Sequence, residues 1–243
     1  MQSLLNLSDL ERCASLDPTR KAAWVRVLSA IQTSELMEFQ VLEPLLAHYQ
    51  NDAQSTQFLS QQSVDEKRHS DLLRAYLLSC FGYVKSKPTL SDRFFYSVIF
   101  PLARRFLFGR VLYGVAVILF YERFSVGLYV QLLKIARQDG LHELAHIIDG
   151  ILKDEAGHIN GLRHLIKRSA TRESNILPNS FLLRLVLILA SADVNFSRWA
   201  LHNRQIRKQL QMLDVDPDLI NGRRKKAVSR VASLILANEI GAS

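Results

Sequence analysis

The sequence predicts an all-α protein built on a four-helix bundle, with about two further helices after it. Three observations lead there. Apolar residues make up 48% of the 243 residues, while glycine and proline number only 10 and 6, which favours long helices over turn-rich sheets. Apolar side chains recur every three or four residues through four long segments. One short motif, D-E-x-x-H, occurs twice, as Asp65-Glu66-Lys67-Arg68-His69 and Asp154-Glu155-Ala156-Gly157-His158. A lone glutamate precedes each motif glutamate, Glu35 by 31 residues and Glu122 by 33.

The first long helix starts at Asp17-Pro18, where the missing proline N–H costs little. Leu28, Ile31, Leu42, Leu45 and Tyr49 mark its apolar stripe, and Glu35 lies within it. Asn51-Asp52 suggests a turn. A second helix is expected from about Ser55 to Phe81, ending at Gly82, with Phe58, Leu59, Leu72, Leu73 and Tyr76 sharing a face with Glu66 and His69. Residues 83–108 resemble a crossover with a short helix around 91–100, broken at Pro101. The third helix spans roughly Gly109–Gln138, with Leu112, Val115, Leu119, Val126, Tyr129 and Leu133 flanking Glu122. Asp139-Gly140 is a tight turn. The fourth helix covers about Leu141–Ala170, with Leu144, Ile148, Ile151, Leu162 and Leu165 around Glu155 and His158. Asn179–Leu210 and Asp216–Asn238 complete the expected helices. The domain boundaries follow: one domain over 1–243, a core over about 18–170 and a C-terminal helical extension over about 178–240.

Antiparallel neighbours bring residues to one level when both are equally far from the turn. Glu35 and Glu66 stand 16 and 15 residues from position 51, and Glu122 and Glu155 stand 17 and 16 from position 139. At about 1.5 Å rise per residue each lone glutamate meets its motif within roughly one or two ångströms of level. Glu38 is also near the inner face, but its offset of 13 fits less well. A Glu and a His at i, i+3 project from one helix face. Two such pairs and two lone glutamates supply four carboxylates and two imidazoles, the ligand set of a di-iron or di-manganese carboxylate centre. Four inward carboxylates would be very costly to bury without cations, and carboxylate with imidazole suits iron or manganese. Each aspartate before the motif glutamate is placed to hold the opposite histidine, Asp154 for His69 and Asp65 for His158, as metal-bound imidazoles commonly require.

Residues 20–170 resemble the ferritin-like di-iron carboxylate superfamily, whose members include ferritins, rubrerythrins, several oxygenases and acyl-carrier desaturases. The resemblance rests on the doubled D-E-x-x-H and the two lone glutamates. It implies a ferritin-like four-helix bundle with a long crossover between helices two and three. It also implies Glu35 and Glu122 as terminal ligands, Glu66 and Glu155 as bridges, and His69 and His158 as ligands to one metal each. Two Fe ions are the implied cofactors, with Mn or a mixed Mn/Fe pair as the other occupants. Arylamine N-oxygenases carry a further histidine one turn before the last motif, where this chain has Ile151.

The expected function is a non-haem dinuclear-iron oxidoreductase that activates O2 to hydroxylate, N-oxygenate or deformylate a hydrophobic organic or carrier-bound substrate. The length beyond a minimal bundle favours it. So do the apolar residues near the site (Ile31, Ile118, Leu119, Ile151, Leu162) and the small Ala156 and Gly157 beside the ligands. Electrons would come from an external donor, since neither a Cys-x-x-Cys pair nor a glycine-rich nucleotide motif is present. Alternatives are a ferroxidase or other iron-handling protein and a lipid- or protein-binding bundle with a structural metal. A homodimer is compatible with such a bundle.

Lys167–Ser243 carries 13 basic and 6 acidic residues, against 18 and 17 in the first 166. This basic extension, with Arg223-Arg224-Lys225-Lys226, would suit an anionic partner, though a solvated face explains it as well. The two cysteines, Cys13 and Cys80, are too few for a disulfide framework. Met1–Leu10 lacks the pattern of a secretory signal, and no run of about 18 apolar residues suggests a membrane span. The expected location is the cytoplasm, including its membrane surface. His142, His146, His164 and His202 read as surface residues. Tyr121, Tyr129, Trp24 and Trp199 read chiefly as packing.

Overall fold

The computed structural model of the chain describes residues 7–82, 111–172 and 208–240. They form α1 (Leu7–Ser15), α2 (Pro18–His48), α3 (Ala53–Phe81), α4 (Val111–Gln138), α5 (His142–Arg172) and α6 (Pro217–Ile240), with residues 208–212 also helical. No strand occurs among the described residues. The expected crossover at 83–108 and most of the helix expected over Asn179–Leu210, including Trp199 and His202, lie outside them.

The helix ends follow local chemistry. Asp17 caps α2 by accepting from the backbone N–H groups of Thr19 and Arg20, two of the donors a helix start leaves orphaned. Asp52 caps α3 from the N–H of Ser55, so α3 starts at Ala53, two residues before the expected start. Gly82 ends α3 in the left-handed region at φ 62°, where a Cβ would be strained. Gly140, at φ 71°, makes the α4–α5 turn.

That turn is held from a distance. Asp139 accepts from Arg20 Nε at 2.8 Å and from the Trp24 indole N–H at 2.8 Å. Leu141 gives the start of α5 no capping side chain. Asp9 supplies one instead, accepting from the backbone N–H groups of His142, Glu143 and Leu144 at 2.9, 3.1 and 3.4 Å, and from the Tyr76 hydroxyl at 2.9 Å. α1 is not among the helices expected from the sequence. At nine residues it is too short to stand alone, and this capping contact gives it a place.

α2 packs on α3 and α4 on α5, as two helical hairpins. The core is two apolar clusters. One combines Trp24, Val27, Leu28 and Ile31 with Leu73, Tyr76, Leu132, Ile135, Leu144 and Ile148. The other combines Leu42, Leu45 and Leu59 with Val115, Ile118, Leu119, Leu162, Leu165 and, from α6, Ala227 and Val231. Along each of the four long helices the chain passes from one cluster to the other. α2 and α5 run from the first to the second; α3 and α4 run from the second to the first. α3 and α4 are therefore parallel, and each hairpin is antiparallel within itself. The motif residues fall between the clusters on every helix, so the bundle has a polar layer across its middle.

Two stripe assignments change. Leu72 is 38% exposed, because it lies about 100° from Leu73 around the helix and only Leu73 can face the core. Ala156 and Gly157 are exposed, so they face away from the buried motif side chains. Gly114–Gln138 in α4 is long and apolar enough to cross a membrane by composition, with a mean hydropathy of 1.4, but 56% of that window is buried inside the protein. Packing between α5 and α6 accounts for its apolarity.

Candidate metal centre

The polar layer brings together all six side chains expected from the two motifs and the lone glutamates. Glu35, Glu66, His69, Glu122, Glu155 and His158 are each at most 4% exposed. They fall into two groups. Glu35, Glu66, His69 and Glu155 each present one oxygen or nitrogen within 4.8 Å of the others, and so do Glu66, Glu122, Glu155 and His158. Glu66 and Glu155 belong to both.

Each histidine has an inner and an outer nitrogen. His69 Nδ1 faces Glu35 at 3.2 Å, Glu66 at 3.8 Å and Glu155 at 3.9 Å. His158 Nδ1 faces Glu66 at 3.1 Å, Glu122 at 3.4 Å and Glu155 at 3.8 Å. The outer nitrogens reach across the bundle: His69 Nε2 lies 3.1 Å from Asp154, and His158 Nε2 lies 3.5 Å from Asp65. Arg68 closes the outside of the layer, donating to Asp65 at 2.9 Å and to Asp154 at 2.7 Å. An imidazole whose Nε2–H is held by a carboxylate turns Nδ1 inward as proton carrier or metal ligand.

The donor set fits a cation. Glu66 Oε1 and Oε2, Glu155 Oε2, Glu38 Oε1 and His158 Nδ1 are buried without a hydrogen-bond partner. An unsatisfied buried polar atom typically costs about 1–3 kcal/mol, and more when charged; the 3.1 Å ion pair of His158 with Glu66 offsets part of that cost, and the remaining inward oxygens stay expensive for the protein alone. Cations between the two groups would satisfy the inward-facing oxygens together.

The titration of the layer tells the same story through protons. Burial pushes the Glu35 carboxyl up to about 8, against the pull of His69. Burial opposes ionisation of Glu66, but the adjoining His158 and His69 outweigh it and draw that carboxyl down to about 2. Burial disfavours charge on both imidazoles, yet Glu35 and Glu66 raise His69 to about 10, and Glu155 and Glu66 raise His158 to about 11. Without a metal, protons supply the positive charge these carboxylates attract.

Three further side chains belong here. The Tyr129 hydroxyl donates to Glu35 Oε1, a polar role beyond the packing expected of it from the sequence. Its spacing of seven from Glu122 puts it two turns along on the same face, which is the signal that could have found it. Gln62, fully buried, donates to Glu122 Oε1, and it lies four residues before Glu66. Glu38 is close enough for Glu66, Glu155 and Glu35 to add to the burial that raises its carboxyl, but it stands outside both ligand groups. His142, His146 and His164 are exposed, and Trp24 is buried in the first cluster. Cys13 and Cys80 are free and buried.

Comparison with protein families, with curated proteins and with solved structures finds no match.

Proposed function

We propose that this chain is a ferritin-like dinuclear metal protein that activates O2 to oxidise a hydrophobic organic or carrier-bound substrate. The observation that carries the reading is the pair of four-residue groups sharing Glu66 and Glu155, buried between two apolar clusters. Glu35 and His69 would hold one metal and Glu122 and His158 the other. Glu66 and Glu155, which belong to both groups, would help hold both. The parallel run of α3 and α4 is the connectivity that a long crossover produces in ferritin-like bundles. Iron in such a carboxylate and imidazole set supplies O2 reduction coupled to oxidation of a bound substrate.

The protein residues have separable tasks. Asp154 and Asp65 orient the imidazoles. Tyr129 and Gln62 each tie down one terminal glutamate from the opposite hairpin. The apolar clusters limit water on either side of the layer and strengthen every charge interaction within it. An external reductase is the electron source this reading requires.

The test begins with elemental analysis, followed by anaerobic Fe(II) loading and measurement of O2 uptake and absorbance. Two irons per chain, with O2 consumption that candidate substrates accelerate, supports the oxygenase. Repeated oxidation of added Fe(II) with mineral growth would assign the site to iron handling. Fewer than one metal per chain, with no O2 reaction, would overturn the metal reading.

A further inference from the structure

α6 packs against α4 and α5, and an open, shallow cleft of about 520 Å³ lies between the three helices. Its lining is Arg123 from α4, Arg163 from α5, and Ser229, Arg230, Ser233 and Leu234 from α6. Three guanidiniums share one cleft, and none of them forms an ion pair among the described residues. Arg123 is partly buried, and its Nε has no hydrogen-bond partner. Burial, together with the charges of Arg163 and Arg230, makes the Arg123 cation harder to hold than an ordinary arginine.

A cluster of like charges around an unsatisfied buried donor is unfavourable in isolation. A bound anion reverses both effects. Guanidinium forks match the oxygens of carboxylate and phosphate in pairs, and the two serine hydroxyls, one helical turn apart on α6, add donors on the same wall. The surrounding charge also attracts anions from solution. We infer that the Arg123–Arg163–Arg230 cleft binds a compact oxyanion, the carboxylate or phosphate head group of a small ligand.

Arg123 directly follows Glu122 in α4, so the anion would be held at the level of the candidate metal centre but around the helix from it. The inference thereby adds a substrate class to the proposed function, an apolar molecule with an acidic head. It also gives α6, part of the basic C-terminal extension, a specific task. It stands on the cleft alone and requires no metal.

Isothermal titration of the full chain with inorganic phosphate and with acetate, at low ionic strength, tests it. The expected result is one saturable anion site per chain. Arg163→Gln and Arg230→Gln, both at exposed positions, should each weaken it by about tenfold, with circular dichroism unchanged. Arg123→Gln should do the same, and Arg74→Gln, outside the cleft on α3, should not. Preference for phosphate would point to a phosphorylated ligand, and preference for acetate to a carboxylic acid. Absence of saturable binding, or equal binding in all variants, would overturn the inference. Titrating metal-free and metal-loaded protein side by side separates the two readings: anion binding by protein that takes up no metal would keep the cleft and fail the metal centre.

Discussion

The two hairpins of the bundle carry the same motif but do not present it equally. In the first hairpin, Glu35 accepts from Tyr129 and His69, and His69 is held outside by Asp154 at 3.1 Å. In the second, Glu122 accepts from Gln62, His158 Nδ1 has no hydrogen-bond partner, and the outer contact to Asp65 is 3.5 Å. Every one of these supporting groups except His69 comes from the opposite hairpin. Neither half is thus a complete site, and the half around His69 is the better organised. A doubled motif need not make two equal positions, because Tyr129 and Gln62, which hold the lone glutamates, lie outside the motif, and the motif aspartates reach the opposite histidines at unequal distances.

The sharpest way to break the comparison is to separate shared from unshared ligands. Glu66→Ala or Glu155→Ala should lower metal content from two per chain to well under one, since each removes a donor from both groups. Glu35→Ala and Glu122→Ala should each retain one metal, bound more weakly. Glu38→Ala should retain both. Elemental analysis after gel filtration reads the series. Full occupancy in Glu155→Ala alongside loss in Glu38→Ala would sink the ligand assignment.

The outer aspartates give the next effect. Loss of a carboxylate that orients a ligating histidine typically costs about 10–100-fold in metal affinity. Asp154→Ala should lie toward the upper end of that range, because it removes the 3.1 Å contact to His69 and one of the two carboxylates paired with Arg68. Asp65→Ala should lie toward the lower end. Co(II) titration followed by visible absorbance resolves two binding steps, and equal losses would show that the asymmetry does not reach the metals.

How much of this was legible in the sequence depended on distance along the chain. Helix-period stripes and turn residues located α2 to α5 and α6, because Asp17, Gly82 and Gly140 act within a few residues of where they stand. The six inward groups could be levelled by counting from two turns, which needs only a constant rise per residue. α1 could not be found this way, since its stabilising contact joins Asp9 to backbone N–H groups more than 130 residues away. Tyr129 and Gln62 were hidden for the same reason: each sits on a ligand-bearing face, but its partner is on another hairpin. Leu72, Ala156 and Gly157 show the opposite case: each adjoins a buried residue in sequence but lies about 100° from it around the helix.

The interlock between the hairpins can be probed at Gly161. A methyl group there would lie 2.0 Å from the ring of Phe58, so α5 offers a notch that the first hairpin fills. Gly161→Ala should destabilise the fold by about 1–3 kcal/mol as the ring is displaced. Gly157→Ala, one turn earlier in the same helix with nothing within 4 Å of the added methyl, should instead stabilise by about 0.5–1 kcal/mol through helix propensity. Opposite signs in chemical denaturation would show that close packing, and not glycine content, sets α5. The same sign for both would remove the interlock.

The smallest effect sharpens the inequality of the halves at single hydrogen bonds. Tyr129→Phe removes one donor to Glu35 and keeps the ring that packs in the first cluster. Gln62→Leu removes the donor to Glu122 with little change in volume. A buried hydrogen bond contributes about 0.5–1.5 kcal/mol net, more when the acceptor is charged, so each variant should shift one Co(II) step by roughly threefold to tenfold. Glu35 keeps His69 as a partner after Tyr129→Phe, whereas Gln62 is the only hydrogen-bond donor to the Glu122 carboxylate among the described residues. Gln62→Leu should therefore have the larger effect, confined to the step that depends on His158. If Tyr129→Phe weakens binding more, the hydroxyl is holding Glu35 in place more firmly than His69 does, and the better-organised half owes that to a residue from the other hairpin.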